Sequence, residues 1–160
     1  MATATQPGTG GQITGNVLFY SKPEPLTPDH HKTLGVKRMD GPFGFAKAGH
    51  AVPLTVTEFP LAAVSGPIIF VGDDKMPLAV MGLNAGDNMF IQDNGIFESG
   101  VYIPAYIRRY PFVFANDDKA QQMVLCIDRA AEFIVEGGEM AFFDEKGEPT
   151  EYTQNCISFC

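Results

Sequence analysis

The chain has 160 residues, the size of one domain, and with 45% hydrophobic and 19% charged residues it belongs to the globular class rather than the disordered one. Its net charge of −8 makes a body that repels phosphate backbones, so nucleic acid is disfavoured as a partner. No stretch approaches the roughly 20 apolar residues of a membrane-spanning helix, and Cys126, Cys156 and Cys160 are too few for a disulfide scaffold.

The N-terminal segment MATATQPGTGGQITG is small, polar and glycine-rich, without the basic and apolar regions of a secretory signal. It reads as a flexible tail over residues 1–15, and the expected compartment is cytoplasmic. Asn16 to Tyr20 reads as a first strand. Pro23, Pro25 and Pro28 then impose an extended loop, and MDGPFGFAKAGH is a second, longer loop. Thr57 is a candidate N-cap for a short helix with Glu58 at its start and Pro60 in the first turn; Gly66-Pro67 ends it. IIFV and PLAVMGL read as strands around the turn Gly72 to Lys75. NMFIQ and GIFES flank Asp93-Asn94-Gly95, a hairpin signal. YIPAYIRRY reads as a short helix with Ile103, Tyr106, Ile107 and Tyr110 on one face, stopped by Pro111. FVFA and QMVLCID are two more strands around NDDKAQ. DRAAEFIVE fits either a helical turn or a strand. MAFFD and the turn EKGE complete the sheet.

A last helix begins at Thr150. Tyr152, Cys156, Ile157, Phe159 and Cys160 give it an apolar stripe, and the expectation is that this stripe is uncovered and open to self-association. The pattern as a whole predicts an α+β fold, mostly antiparallel hairpins with short helices, in one domain over residues 16–160 whose C-terminal helix is incomplete.

The segments HAVPLTVTEFPLAAVSGPIIFVGD, NMFIQDNGIFESGVYIPAYIRRYPFVF, LCID and MAFFDEKGEPTEYTQN occur in that order. From about Leu18 to the end the chain resembles the SapC family of bacterial proteins. The resemblance implies a domain that continues beyond Cys160 in further helix. It implies no established enzymatic activity; the family name links it to a bacterial surface-layer locus. A permease of the same letters is a different matter, since a permease must span the membrane.

The distinctive basic residues are Arg108 and Arg109, set among tyrosines, prolines and phenylalanines. As helix neighbours they point about 100° apart and do not make one clamp unaided. Arg109 can pair bidentately with a carboxylate, either Glu58 of the body, which makes it an anchor, or that of a ligand, which makes it a clamp. The anchor is the simpler reading. His30 and His31 alternate sides of an extended loop, and no H-x-H or H-E-x-x-H spacing occurs, so no metal is expected. His50 opens the HAVPL motif and reads as a hydrogen-bonded structural residue. GTGG and GPFG lack the strand-to-helix setting of a dinucleotide loop, so no cofactor is expected. G-x-S-x-G and the calcium-loop spacing are absent from the sequence.

Two functions follow. The first is a non-enzymatic binding or accessory protein with a small-molecule or protein partner, using an aromatic face near Tyr102, Tyr106 and Tyr110. The second is an enzyme acting on a small anionic substrate held by Arg109. The candidate ligand-binding residues are Arg108, Arg109, Glu58, His50 and Tyr106, and a pocket holding Arg109, Glu58 and His50 together favours the enzyme.

Overall fold

Among the residues described by the computed structural model, 17–117 and 122–160, three small antiparallel sheets alternate with short helices, the α+β class expected. One sheet has the order β1 (Pro23–Pro25), β7 (Gln122–Asp128), β6 (Phe112–Asp117). A second runs β8 (Ile134–Glu136), β2 (Leu34–Val36), β9 (Met140–Ala141), and a third β3 (Ala51–Pro53), β5 (Met76–Val80), β4 (Ile68–Val71). The helices are α1 (Pro28–His31), α2 (Phe59–Ser65), α3 (Ala105–Arg108) and α4 (Glu151–Phe159). No helix among the described residues is long and apolar enough to cross a membrane.

Three apolar clusters hold these pieces, the smallest being Tyr20, Val113 and Cys126. Leu34, Val36, Phe112, Leu125, Ile127, Ile134 and Phe142 form the first, between the first and second sheets. Val52, Leu54, Ala62, Ala79, Met81, Ile91, Phe97 and Ile107 form the second, around the third sheet. The stretch around α3 joins these two, because Ile107 is buried in the second cluster and Phe112, five residues on, in the first. The link between the two clusters is therefore the Arg-Arg-Tyr segment itself.

Several strands behave as the alternation and turn chemistry dictate. β4 and β5 pair from Ile68↔Ala79 to Val71↔Met76, with Gly72 at φ 68° in the turn, where a left-handed residue is needed. β6 and β7 pair with Phe112 opposite Ile127 and Val113 opposite Cys126. The turn between them falls largely at residues 118–121, outside the described residues, as does the 1–15 tail. The proline loop after Ser21 contains β1, and its position at a sheet edge suits residues that lack an N–H. DRAAEFIVE resolves into a turn followed by β8.

Other expectations are corrected. Asn16 lies outside the described residues, and Val17 to Tyr20 make a turn, not a strand: Tyr20 N donates to Val17 O at 3.0 Å and Phe19 has φ 76°. The Asp93-Asn94-Gly95 turn forms, with Gly95 N donating to Gln92 O at 2.9 Å, but its flanks share only the bridge Ile91↔Phe97. The turn instead docks on the 39–45 loop: Gly95 O accepts from Phe43 N at 3.1 Å, and a Cβ on Gly41 would lie 1.8 Å from Asn94 O. MAFFD gives only two strand residues, because Phe142 turns wholly into the core. Thr55, not Thr57, is the cap: its side chain and Glu58 form a capping box around the 3-10 turn Val56–Glu58 that leads into α2.

The α4 stripe is covered in part. Tyr152, Cys156 and Cys160 pack against the first cluster, with Tyr152 stacked on Phe142 at 6.4 Å. The reason lies at the N-terminus of the helix, where Thr150 caps α4 and Thr153 Oγ1 donates to Phe142 O at 2.8 Å. The Thr153 bond, with one from Thr150 Oγ1 to Ala141 O at 2.6 Å, ties the first turn to the end of β9 and sets that face inward. Of the stripe, Ile157 and Phe159 stay exposed.

Candidate functional site

The site is built around the end of α3. Glu58, at the start of α2, is buried, and its two oxygens accept four hydrogen bonds. Oε2 takes Thr55 N at 2.7 Å and Thr55 Oγ1 at 2.9 Å; Oε1 takes Ala105 N at 2.7 Å and the Tyr102 hydroxyl at 3.0 Å. One carboxylate thus closes the cap of α2 and fixes the first turn of α3 to it. Burial raises the Glu58 pKa, but the hydrogen bonds from Ala105, Thr55 and Tyr102 outweigh it and hold the carboxyl below its ordinary value.

At the other end of α3, Tyr110 is fixed by a second buried carboxylate. Asp128, at the end of β7, is fully enclosed. Its Oδ2 accepts from the Tyr110 hydroxyl at 3.0 Å and Ser21 N at 2.9 Å, and its Oδ1 from Lys22 N at 2.8 Å and Ala130 N at 3.1 Å. The Tyr110 ring stacks on Phe45, with centroids 3.9 Å apart and planes at 21°. Tyr20 and Phe133 approach it edge-on at 5.2 and 5.7 Å. Phe45 reaches this position because the 39–45 loop is held by the docked Asp93-Asn94-Gly95 turn.

Three adjoining cavities open around this ring, of about 430, 360 and 270 Å³, and Tyr110 lines all three. The first lies between the 39–45 loop and Ala130 to Phe133; the second shares Met39, Pro42, Phe45 and Phe133 with it and extends to Lys37, Arg38 and Arg108. The third lies between α3 and α4, walled by Arg108, Arg109, Phe112, Tyr152 and Cys156 among others. Together they form a groove with an aromatic floor. Glu132 lines the first cavity, whereas the second and third have four cationic residues and no carboxylate among the described residues that line them.

The two arginines do different things. Arg108 is exposed and braced: its Nε donates to Ile103 O at 2.9 Å and its Nη2 to the Tyr102 hydroxyl at 3.2 Å, and the guanidinium lies 5.0 Å from the Phe159 ring. Arg109 is half-buried over the Tyr106 ring, 4.1 Å from its centroid. Its Nε is enclosed and meets no acceptor, and no carboxylate lies within 4.0 Å among the described residues. Glu58 is therefore not the partner of Arg109; its oxygens are already taken by the two helix starts.

The remaining candidates are dispersed. Tyr106 supports Arg109 and donates to Leu18 O at 3.3 Å. His50 lies just before β3, an exposed residue whose carbonyl accepts from Met81 N at 2.7 Å and Gly82 N at 3.0 Å. The structure does not bring Arg109, Glu58 and His50 into one pocket. Sequence reading missed Asp128, which sits at the end of an apolar run with nothing to mark its burial. It also placed His31 on an extended loop, whereas His31 ends α1 and is buried, its Nδ1 3.1 Å from both Thr27 N and Thr27 O and its Nε2 3.0 Å from Glu24 Oε1.

The Tyr110 hydroxyl and the two α4 thiols along the groove are held in their protonated forms. Burial, reinforced by the Asp128 charge and hydrogen bond, pushes the Tyr110 hydroxyl well above the usual tyrosine range. Burial pushes the Cys160 thiol up to about 11, and raises Cys156 as well. Among the described residues no group of three or more His, Cys, Asp or Glu is placed to hold a metal ion.

No curated protein and no solved structure matches the chain. The family model described as SapC matches residues 26–160, a span that takes in both buried carboxylates, α3, α4 and the groove between them, and the chain belongs to the SapC family.

Proposed function

We propose that the protein is a non-enzymatic binding protein whose site is the groove around Tyr110, and that its ligand is a small organic molecule with a flat or apolar body. The observation that carries this reading is Tyr110 itself. It is common to three adjoining cavities, stacked on Phe45, and locked by a buried carboxylate that has no other free lone pair to lose. A ring held in this way is a preorganised platform, and preorganisation is what lets a modest surface bind. The cavity sizes suit small ligands of this kind.

The acid–base chemistry favours binding over catalysis. A nucleophile or general base works when its pKa lies near the operating pH. Here the groove's hydroxyl and thiols are moved away from neutrality, and Asp128 spends its oxygens on four donors.

A neutral aromatic probe, naphthamide, tests the reading by protein-observed NMR and calorimetry. It is expected to bind, to shift the Tyr110 ring signals, and to lose roughly fivefold in affinity or more in Phe45→Ala, the worth of an aromatic contact. Absence of binding, or binding indifferent to Phe45→Ala, would overturn the groove as the site.

A further inference from the structure

Resting on that groove reading, we propose that the natural ligand is an organic carboxylate, its head group at Arg109 and its apolar body lying along Tyr110. The net charge of the chain is −8, yet its adjacent basic pairs Lys37-Arg38 and Arg108-Arg109, some seventy positions apart, meet at adjoining cavities of one groove. Charges of one sign gathered at a cleft with low-dielectric walls focus the field there and draw in the opposite charge. In an otherwise acidic body this groove is where an anion is drawn.

Arg109 is the residue at which that anion would sit. A half-buried guanidinium without a carboxylate partner has given up hydration and gained the Tyr106 ring and the neighbouring Tyr20 hydroxyl, neither of them an anion, in return. Arg38 differs, being exposed with Glu139 Oε2 at 3.6 Å, and Arg108 has two of its donors committed to Ile103 O and the Tyr102 hydroxyl. The cavity beside Arg109 is also lined by Asn155, a neutral donor, and by the aromatic rings of Phe112 and Tyr152. A planar carboxylate matches the guanidinium fork bidentately, and a charge-assisted bond is strengthened in such surroundings. The aromatic floor continues from this cavity through Tyr110 to Phe45 and Phe133, which places the apolar body of the same ligand.

The test compares naphthoate with its neutral amide on the whole chain. Wild type is expected to bind the acid about tenfold more tightly or better, the scale of one charge-assisted hydrogen bond, and added salt should shrink that preference. Arg109→Gln should abolish the preference, bringing the acid down to the affinity of the amide in the same variant, and Arg109→Lys should restore part of it. Equal binding of acid and amide by wild type would overturn the carboxylate assignment and leave the groove standing. Binding of neither would overturn the groove reading. Should Arg109→Gln fail to fold, the salt dependence in wild type and the Arg109→Lys variant decide the question in the same way.

Discussion

Asp128 and Arg109 show how differently two charged residues are held within one site. The carboxylate of Asp128 is the single acceptor for Tyr110, Ser21, Lys22 and Ala130, so Asp128→Ala would strand several enclosed donors at once. We expect that change to lower unfolding free energy by about 3–5 kcal/mol, the range for breaking a buried polar network. Arg109→Ala removes a ring contact and no ion pair, so its cost should be only about 1 kcal/mol. Urea melts of both variants check the contrast. A midpoint for Arg109→Ala as low as that of Asp128→Ala would mean that Arg109 has a buried carboxylate partner after all.

At the scale of elements, α4 carries a chemical label on its buried side. Cys156 and Cys160 lie four residues apart, both half-buried against the first cluster, while Cys126 in the centre of β7 is enclosed. The thiolate is the reactive form, and burial pushes both Cys126 and Cys160 up to about 11, whereas Cys156 is raised less, its bond with Tyr152 offsetting part of the effect. Native-state alkylation followed by mass spectrometry is therefore expected to modify Cys156 first, Cys160 next and Cys126 last. If Cys126 reacted as fast as the helix thiols, the β6–β7 hairpin would not be the enclosed element described above. An uncovered α4 would instead show both helix thiols reacting at the rate of free cysteine.

For the molecule as a whole, Glu58 ties the second apolar cluster to the linking segment, and its ionisation makes that tie depend on pH. Its folded pKa lies below the unfolded one. The carboxylate therefore contributes its full stabilisation at pH values above the unfolded pKa, and the contribution is lost as pH falls through the folded pKa. Glu58→Gln turns one acceptor into an amide donor facing N–H or O–H groups, and should cost about 1–3 kcal/mol near neutrality. The gap between variant and wild type should narrow as pH drops through the acid side of the carboxylate range. Thermal melts across pH measure it, and a gap that stays constant into strong acid would show that the carboxylate charge is not what closes the cap.

The sequence by itself determined what local chemistry can determine. Alternation and turn residues placed the β4–β5 and β6–β7 hairpins, Thr150 marked the start of α4, Pro111 marked the stop of α3, and four ordered segments marked the SapC family. Arg108 and Arg109 stood out because two adjacent cations among aromatics are unusual in an acidic chain. Only the tertiary structure decided which acceptor each donor found. Glu58 looked like a partner for Arg109, and three-dimensional packing gave it to Thr55, Tyr102 and Ala105 instead. Asp128 carried no local signal of burial, since three of its four donors come from segments that meet only when β1 pairs with β7 and α3 turns into β6. The covering of α4 was equally invisible, because an apolar stripe states what must be buried and not which surface buries it. Propensity acts over a few residues along the chain, whereas a carboxylate's ligands and a helix's neighbours are chosen by contacts between residues far apart in it.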